Sequence, residues 1–142
     1  DFALRHPGGM LGRKLLLRVE DLMLRGERLP LVRETTSVKG ALFEITAKRL
    51  GVTGVTNEKD QLVGVLTDGD LRRGLESKGE ILSLAANELM TRNPKTIPAD
   101  TLASEAVAVM EKFPITSLFV LEPETKKPVG IVHLHDLIKA GL

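Results

Sequence analysis

The side chains best placed to do chemistry in this chain fall in two short stretches, Thr67-Asp68-Gly69-Asp70 and His133-Leu134-His135-Asp136. In the first, a hydroxyl and a carboxylate stand three residues apart beside what reads as the start of a helix. Both can therefore reach one ligand from the same end, and free N–H groups at a helix start favour phosphate. Arg72 and Arg73, one turn further on, can reach a phosphate or can form a solvated face. A second account needs no ligand: Thr67 caps the helix and Asp70 reaches back, as in a capping box. The second stretch keeps Asp136 but replaces the threonine by His133. Histidine is a poor N-cap, so capping alone does not predict that exchange. His133 and His135 can donate to a phosphate, or they can be satisfied polar residues at a partly buried end. A metal held by His133, His135 and Asp136 is the weaker reading at this spacing.

The elements that must position these groups are written twice. Asp21-Leu22-Met23 recurs as Glu88-Leu89-Met90, offset by 67. Val38-Ala41-Leu42-Ile45 recurs as Ala103-Ala106-Val107-Met110, offset by 65, and Gly64-Val65-Leu66 with Asp70-Leu71 recurs as Gly130-Ile131-Val132 with Asp136-Leu137, offset by 66. Such self-similarity is the mark of a duplicated structural unit. Each copy begins with a short helix end and an extended apolar piece, Leu29 to Val32 or Thr96 to Pro98. A helix follows, entered through Thr36-Ser37 or Asp100-Thr101, residues suited to N-caps. The first helix should stop near Gly51. The second should stop at Phe113, because Pro114 disfavours helical geometry in the residue before it. Two β-rich runs come next, Val52 to Thr56 with Leu62 to Leu66, and Ile115 to Leu121 with Val129 to Val132. A final short helix begins after Thr67 or His133. The expected fold class is α+β, with two β-α-β-β-α repeats related by a pseudo-two-fold axis. Each unit alone, about 57 residues, buries little surface, and packing sheet against sheet gives both a shared core.

Composition narrows the function classes. Twenty Lys and Arg against nineteen Asp and Glu leave a net charge of +1, with four Phe and no Trp or Tyr. That is neither the basic field nor the stacking aromatics of a nucleic-acid binder. The longest aliphatic run, around Leu118 to Leu121, is far below the ~20 residues that span a bilayer. Without cysteine there is no disulfide, thiolate metal site or Cys nucleophile. Asp1-Phe2-Ala3 shows neither an initiator Met nor an apolar signal segment, so a cytoplasmic piece of something longer is expected.

The twice-written unit, closing each time on Gly-x-x-x-x-x-Asp-Leu with Thr67 in the first copy, resembles a tandem pair of cystathionine-β-synthase (CBS) domains over residues 19–142. That resemblance implies a regulatory module, attached to an enzyme or transporter, that binds adenosine nucleotides or related ligands between its repeats. The segment Arg5-His6-Pro7-Gly8-Gly9-Met10-Leu11-Gly12-Arg13-Lys14-Leu15-Leu16, with Leu66 to Arg73 and Val132 to Leu137, is similar to the SIS–CBS family of D-arabinose 5-phosphate isomerases. It implies that residues 1–18 end the sugar-isomerase (SIS) domain, with CBS repeats at 19–80 and 85–142. A parent enzyme of this kind interconverts ribulose 5-phosphate and arabinose 5-phosphate for the Kdo sugar of lipopolysaccharide or capsule, and this chain alone should be inactive. His6 is then an orphaned catalytic residue, or simply the end of a helix broken by Pro7-Gly8-Gly9. The resemblance gives Thr67, Asp68 and Asp70 to the phosphate and ribose of one ligand, with Leu31, Val32, Thr53 and Gly54 around its base. For the other cleft it implies His133, His135 and Asp136 with Ile97, Ser117 and Leu118. No cofactor is required. An adenine nucleotide or CMP-Kdo is the expected effector, and the SIS domain and a second copy of the module are the expected partners. The helix faces carrying Ala41, Ile45, Ala106 and Met110 can supply a dimer surface or fill the core.

Overall fold

The β-branched, uncharged run Val52-Thr53-Gly54-Val55-Thr56 forms a strand, β2 (Val52–Thr56), whose every residue is buried. The polar turn after it returns the chain as β3 (Leu62–Thr67), antiparallel to β2. Before this hairpin, β1 (Leu31–Arg33) leads into α2 (Val38–Lys48) and lies parallel to β2, as a strand–helix–strand crossover requires. Ser37 caps α2 by accepting a hydrogen bond from Gly40 N at 3.1 Å. Arg49, left-handed at φ 62°, ends it. The chain then enters α3 (Asp68–Lys78). The second copy repeats this with β5 (Thr96–Pro98), α4 (Ala103–Lys112), β6 (Ser117–Leu121), β7 (Pro128–His133) and α5 (Leu134–Lys139). This is the computed structural model of the chain, and it describes residues 15–142. Among them no helix is long and apolar enough to cross a membrane.

Each hairpin carries an irregularity at the same place. Val55 pairs with Gly64 but Thr56 pairs with Leu62, leaving Val63 as the extra residue. In the second hairpin Val120 pairs with Gly130 and Leu121 with Pro128, leaving Val129. Such a bulge resets the alternation of faces. Leu62 and Val65 consequently share the face that meets the other sheet, while Leu66 joins its own repeat's core.

The two repeats also exchange their leading segments. The first begins with α1 (Val19–Leu22), yet α1 packs on α4 and β7 of the second. Val19 N donates to Thr101 O, Ala103 N donates to Leu17 O, and Leu24 forms a two-bond bridge with Ile131. The second repeat reciprocates: Val38 N donates to Leu84 O, Ala86 N donates to Thr36 O, and β4 (Thr91–Arg92) adds to β3 as the fourth strand of the first sheet. This corrects one expectation. Asp100 and Thr101 do not cap α4; its N-cap is Leu102, which makes no side-chain cap bond. The carbonyl of Leu17 takes the Ala103 N–H at 2.8 Å instead, so a polar cap is not needed there.

The exchange explains the repeated Leu-Met and the repeated glycine. Met90 lies over Gly64, where a Cβ would stand 2.5 Å from its Sδ and 2.9 Å from Thr91 O. Met23 lies over Gly130 in the same way, 2.8 Å from Cγ to a Cβ built there. These glycines thus admit a methionine of the other leader.

Three apolar clusters result. One lies inside the second repeat and includes Val19 of the first leader; another, around Ala41, Val55, Leu66 and Ala86, lies inside the first. The third joins the two sheets through Val52, Phe119 and Ile131. Gly54 and Phe119 occupy equivalent positions, paired with Leu31 and Thr96. The ring comes within 3.0 Å of where a Gly54 Cβ would be, so the large residue of one repeat fills the space left by the small one of the other. Ala41, Ile45, Ala106 and Met110 are at most 4% exposed, which makes them core and removes them as a dimer surface.

A branched side chain cannot share the space over Gly64 with Met90. Gly64→Val should lower the unfolding free energy by about 1–3 kcal/mol in urea titrations. Adding Met90→Ala should recover part of that loss, giving a coupling of opposite sign in the double-mutant cycle.

Candidate functional site

The exchange leaves an open cleft of about 550 Å³ between the repeats, on the side where β3 ends. Its floor is apolar, formed by Val52 and Val65 from one sheet and Phe119 from the other. One wall is Thr67 with the crossing segment Thr91, Asn93, Pro94 and Lys95. The opposite wall is Phe113 to Ser117, the turn that enters β6. Pro114 and its neighbours stop α4 here and direct the chain across the cleft mouth, as the helix-stop reading required. Lys95 Nζ sits 4.3 Å from the centre of the Phe113 ring, within cation–π range. The described lining holds hydroxyls, amides and this one ammonium group, with no carboxylate and no histidine. Such a site suits a ligand with an apolar or planar body and an anionic group.

Behind that wall, Thr67 and Asp70 form the reciprocal cap. Asp70 N donates to Thr67 Oγ1 at 3.1 Å, and Thr67 N donates to Asp70 Oδ2 at 2.9 Å. Asp70 is only 6% exposed and does more than cap. Its Oδ1 accepts from Arg73 Nη2 at 2.7 Å and from Thr91 Oγ1 at 2.9 Å. The carboxylate therefore fastens α3 to the leader of the second repeat. Asp68 opens α3 as an exposed residue with its N–H on Gly51 O, and Arg72 is exposed one turn on.

The second corner is built differently. His133 is the N-cap of α5, its Nδ1 accepting from His135 N at 3.2 Å. This corrects the argument that capping does not account for the histidine: the imidazole nitrogen takes the place of the hydroxyl oxygen. Asp136 is half-buried, and among the described residues no side chain donates to it. Leu24 stands where Thr91 stands in the first copy, and its side chain has no donor to offer. His135 is exposed. Among the described residues no three His, Asp or Glu are placed to hold a metal ion.

The other expected site residues are scattered. Ser117 lines the Thr67 cleft, across from its strand partner His133. Leu31 and Val32 line a separate groove of about 340 Å³ with Asp60 and Lys127, and Ile97 lines a third of about 400 Å³. Thr53 is fully buried with its hydroxyl on Gly54 O, Gly54 lies under Phe119, and Leu118 belongs to the second repeat's core. His6 lies outside the described residues. Sequence reasoning missed Thr91, Asn93, Lys95 and Phe113. The signal open to it was Asn93-Pro94, a turn dipeptide that brings a new wall beside the first corner; Asn93 is left-handed at φ 52°, as Gly26 is at the matching place in the first leader.

Both repeats match the CBS domain family model, over residues 19–77 and 86–142. Across all 142 residues the chain is 47% identical to the arabinose 5-phosphate isomerase KdsD of Pseudomonas aeruginosa. It is 45% identical to that of Francisella tularensis and 42% to that of Escherichia coli. It spans 43% of the length of each of these relatives. Among solved structures it is similar to CBSX2 in complex with AMP, at 26% identity and a TM-score of 0.74, covering 88% of this chain and 96% of that one. A conserved protein from Pyrococcus horikoshii matches at 27% identity and a TM-score of 0.76, over 89% and 93%. With two matched repeats, two pseudo-symmetric sheets and a cleft between them, the chain belongs to the CBS-domain family as a tandem pair.

Proposed function

We propose that this chain is the regulatory half of an arabinose 5-phosphate isomerase, and that the Thr67–Lys95–Ser117 cleft takes a nucleotide-type effector. The observation that carries the reading is that both repeats wall one cleft. A ligand there touches Thr67 of one repeat and Ser117 of the other, so its affinity depends on how the repeats sit. An effector shifts a conformational equilibrium only through such differential affinity. Phe113, Ile115 and Val52 offer apolar surface to a base, while Lys95 offers a charge to a phosphate. The likeness of all 142 residues to part of the KdsD enzymes supports the parent activity, and the AMP held by CBSX2 supports the ligand class. An adenine nucleotide and CMP-Kdo both fit this description, and the setting is the cytoplasm.

Catalysis within the cleft is disfavoured by its chemistry. Aldose–ketose isomerisation needs a base to move a proton between C1 and C2 and donors for the enediolate. No carboxylate or imidazole is among the cleft's described lining, and Asp70 behind its wall is held by its cap and by Arg73 and Thr91. Turnover is therefore expected from a protein that includes the SIS domain and not from this chain alone, measured by conversion of ribulose 5-phosphate.

A second reading, a module that only assembles subunits, draws on exposed apolar residues of the first repeat. Phe43 is 65% and Leu75 56% exposed, on α2 and α3 respectively. Sedimentation velocity separates the two readings, because a monomer that binds nucleotide counts against a purely assembling role.

For the effector reading, AMP, ATP and CMP-Kdo titrated into the chain by calorimetry should give saturable heat with at least one of them. Lys95→Ala should weaken that binding by about tenfold, the loss of one charged contact, with little change in Tm. No heat and no thermal shift with any of the three would sink the proposal.

A further inference from the structure

An ionised carboxylate offers about four lone-pair positions, and on Asp70 all four are taken. Oδ2 receives Thr67 N at 2.9 Å and Thr67 Oγ1 at 3.1 Å, and Oδ1 receives Arg73 Nη2 at 2.7 Å and Thr91 Oγ1 at 2.9 Å. Thr67 and Thr91 line the cleft in front of this carboxylate, which is itself almost fully covered. A ligand hydroxyl can donate to Asp70 only by displacing one of the four. The Thr67 amide is set by the helix corner, the Thr67 hydroxyl is already shared with Asp70 N, and Arg73 brings a full charge. The Thr91 hydroxyl is different. It is neutral, turns about a single bond and belongs to an exposed residue.

We propose that Thr91 is the specificity-determining gate of this cleft: a ligand carrying vicinal hydroxyls takes over the position on Asp70 Oδ1 that the Thr91 hydroxyl holds, and that hydroxyl turns to solvent. The proposal deepens the effector reading and rests on it. To the ribose contact that the resemblance assigns to Asp70 it adds the residue whose competition sets the threshold for that contact. The competition reaches beyond the cleft. Thr91 lies in β4, which joins the second leader to Val65 of the first sheet, so the displaced bond is also a tie between the repeats. The arrangement occurs once, since Leu24 holds the matching place beside Ile131 and carries no hydroxyl.

Thr91→Val keeps the branched shape suited to a strand and removes only the donor. Affinities of the chain and of T91V for AMP and for 2′,3′-dideoxy-AMP, measured by calorimetry, give the test. In the unaltered chain AMP must displace the Thr91 hydroxyl, so the diol brings little net gain. In T91V the position on Oδ1 is open, and the preference for AMP over the dideoxy analogue should rise by about tenfold, the worth of one hydrogen bond to a charged group. Thr91→Ala should show the same rise. A preference that stays level or falls in both variants overturns the gate while leaving the effector reading intact. If the unaltered chain binds neither AMP nor its dideoxy analogue, the gate is overturned, while the effector reading stands or falls on ATP and CMP-Kdo.

Discussion

The fold depends on a reciprocal backbone exchange. The N–H of Val38 at the start of α2 donates to Leu84 O of the second leader, and the N–H of Ala103 at the start of α4 donates to Leu17 O of the first. The opening amides of a helix have no partner within it. Here a carbonyl of the other repeat's leader supplies one in each case. Neither repeat can complete its first helix or its sheet edge alone, because β4 and Leu24 each extend the sheet of the opposite copy. Two small units become one folding unit for this reason as much as through the shared apolar cluster of Val52, Phe119 and Ile131.

From the exchange follow the features that make the cleft. The second leader must cross the first sheet's open edge, and in crossing it lays Thr91, Asn93 and Lys95 beside the Thr67 corner. Met90 can seat only because Gly64 has no side chain, and Met23 because Gly130 has none. At both positions the space a side chain would need is taken by a thioether. Asp70 then sits at the meeting point of cap, helix and crossing leader, and its four hydrogen bonds tie the ligand-facing wall to the packing behind it.

Around the cleft and the sheet interface, three changes of residue type break the pseudo-symmetry. Gly54 faces Phe119, a small residue against a large one, so the sheets interlock in one sense only. Thr67 is matched by His133, and both cap, one through a hydroxyl oxygen and the other through a ring nitrogen. Thr91 is matched by Leu24, so the carboxylate of Asp70 gains a donor that Asp136 does not receive from that position. The two corners are thus chemically distinct although the backbone repeats.

Much of the fold was legible from residue order. Offsets of 65 to 67 between like triplets, β-branched runs bounded by polar turns, and Pro114 after a periodic apolar helix identify two copies of one unit and place the strands of both hairpins to within about two residues. The Thr67–Asp70 cap was legible too, since it is local and three residues long. What tertiary structure decided is everything that joins residues distant in sequence. The leaders trade places, Thr91 rather than Leu31 or Thr53 stands beside Thr67, and Ala41 and Met110 turn inward. Periodicity shows that a face is apolar and leaves open which surface covers it. A local hydrogen bond is specified by the spacing of its partners along the chain, whereas a cleft wall is specified by which backbone edge remains open for another segment to fill.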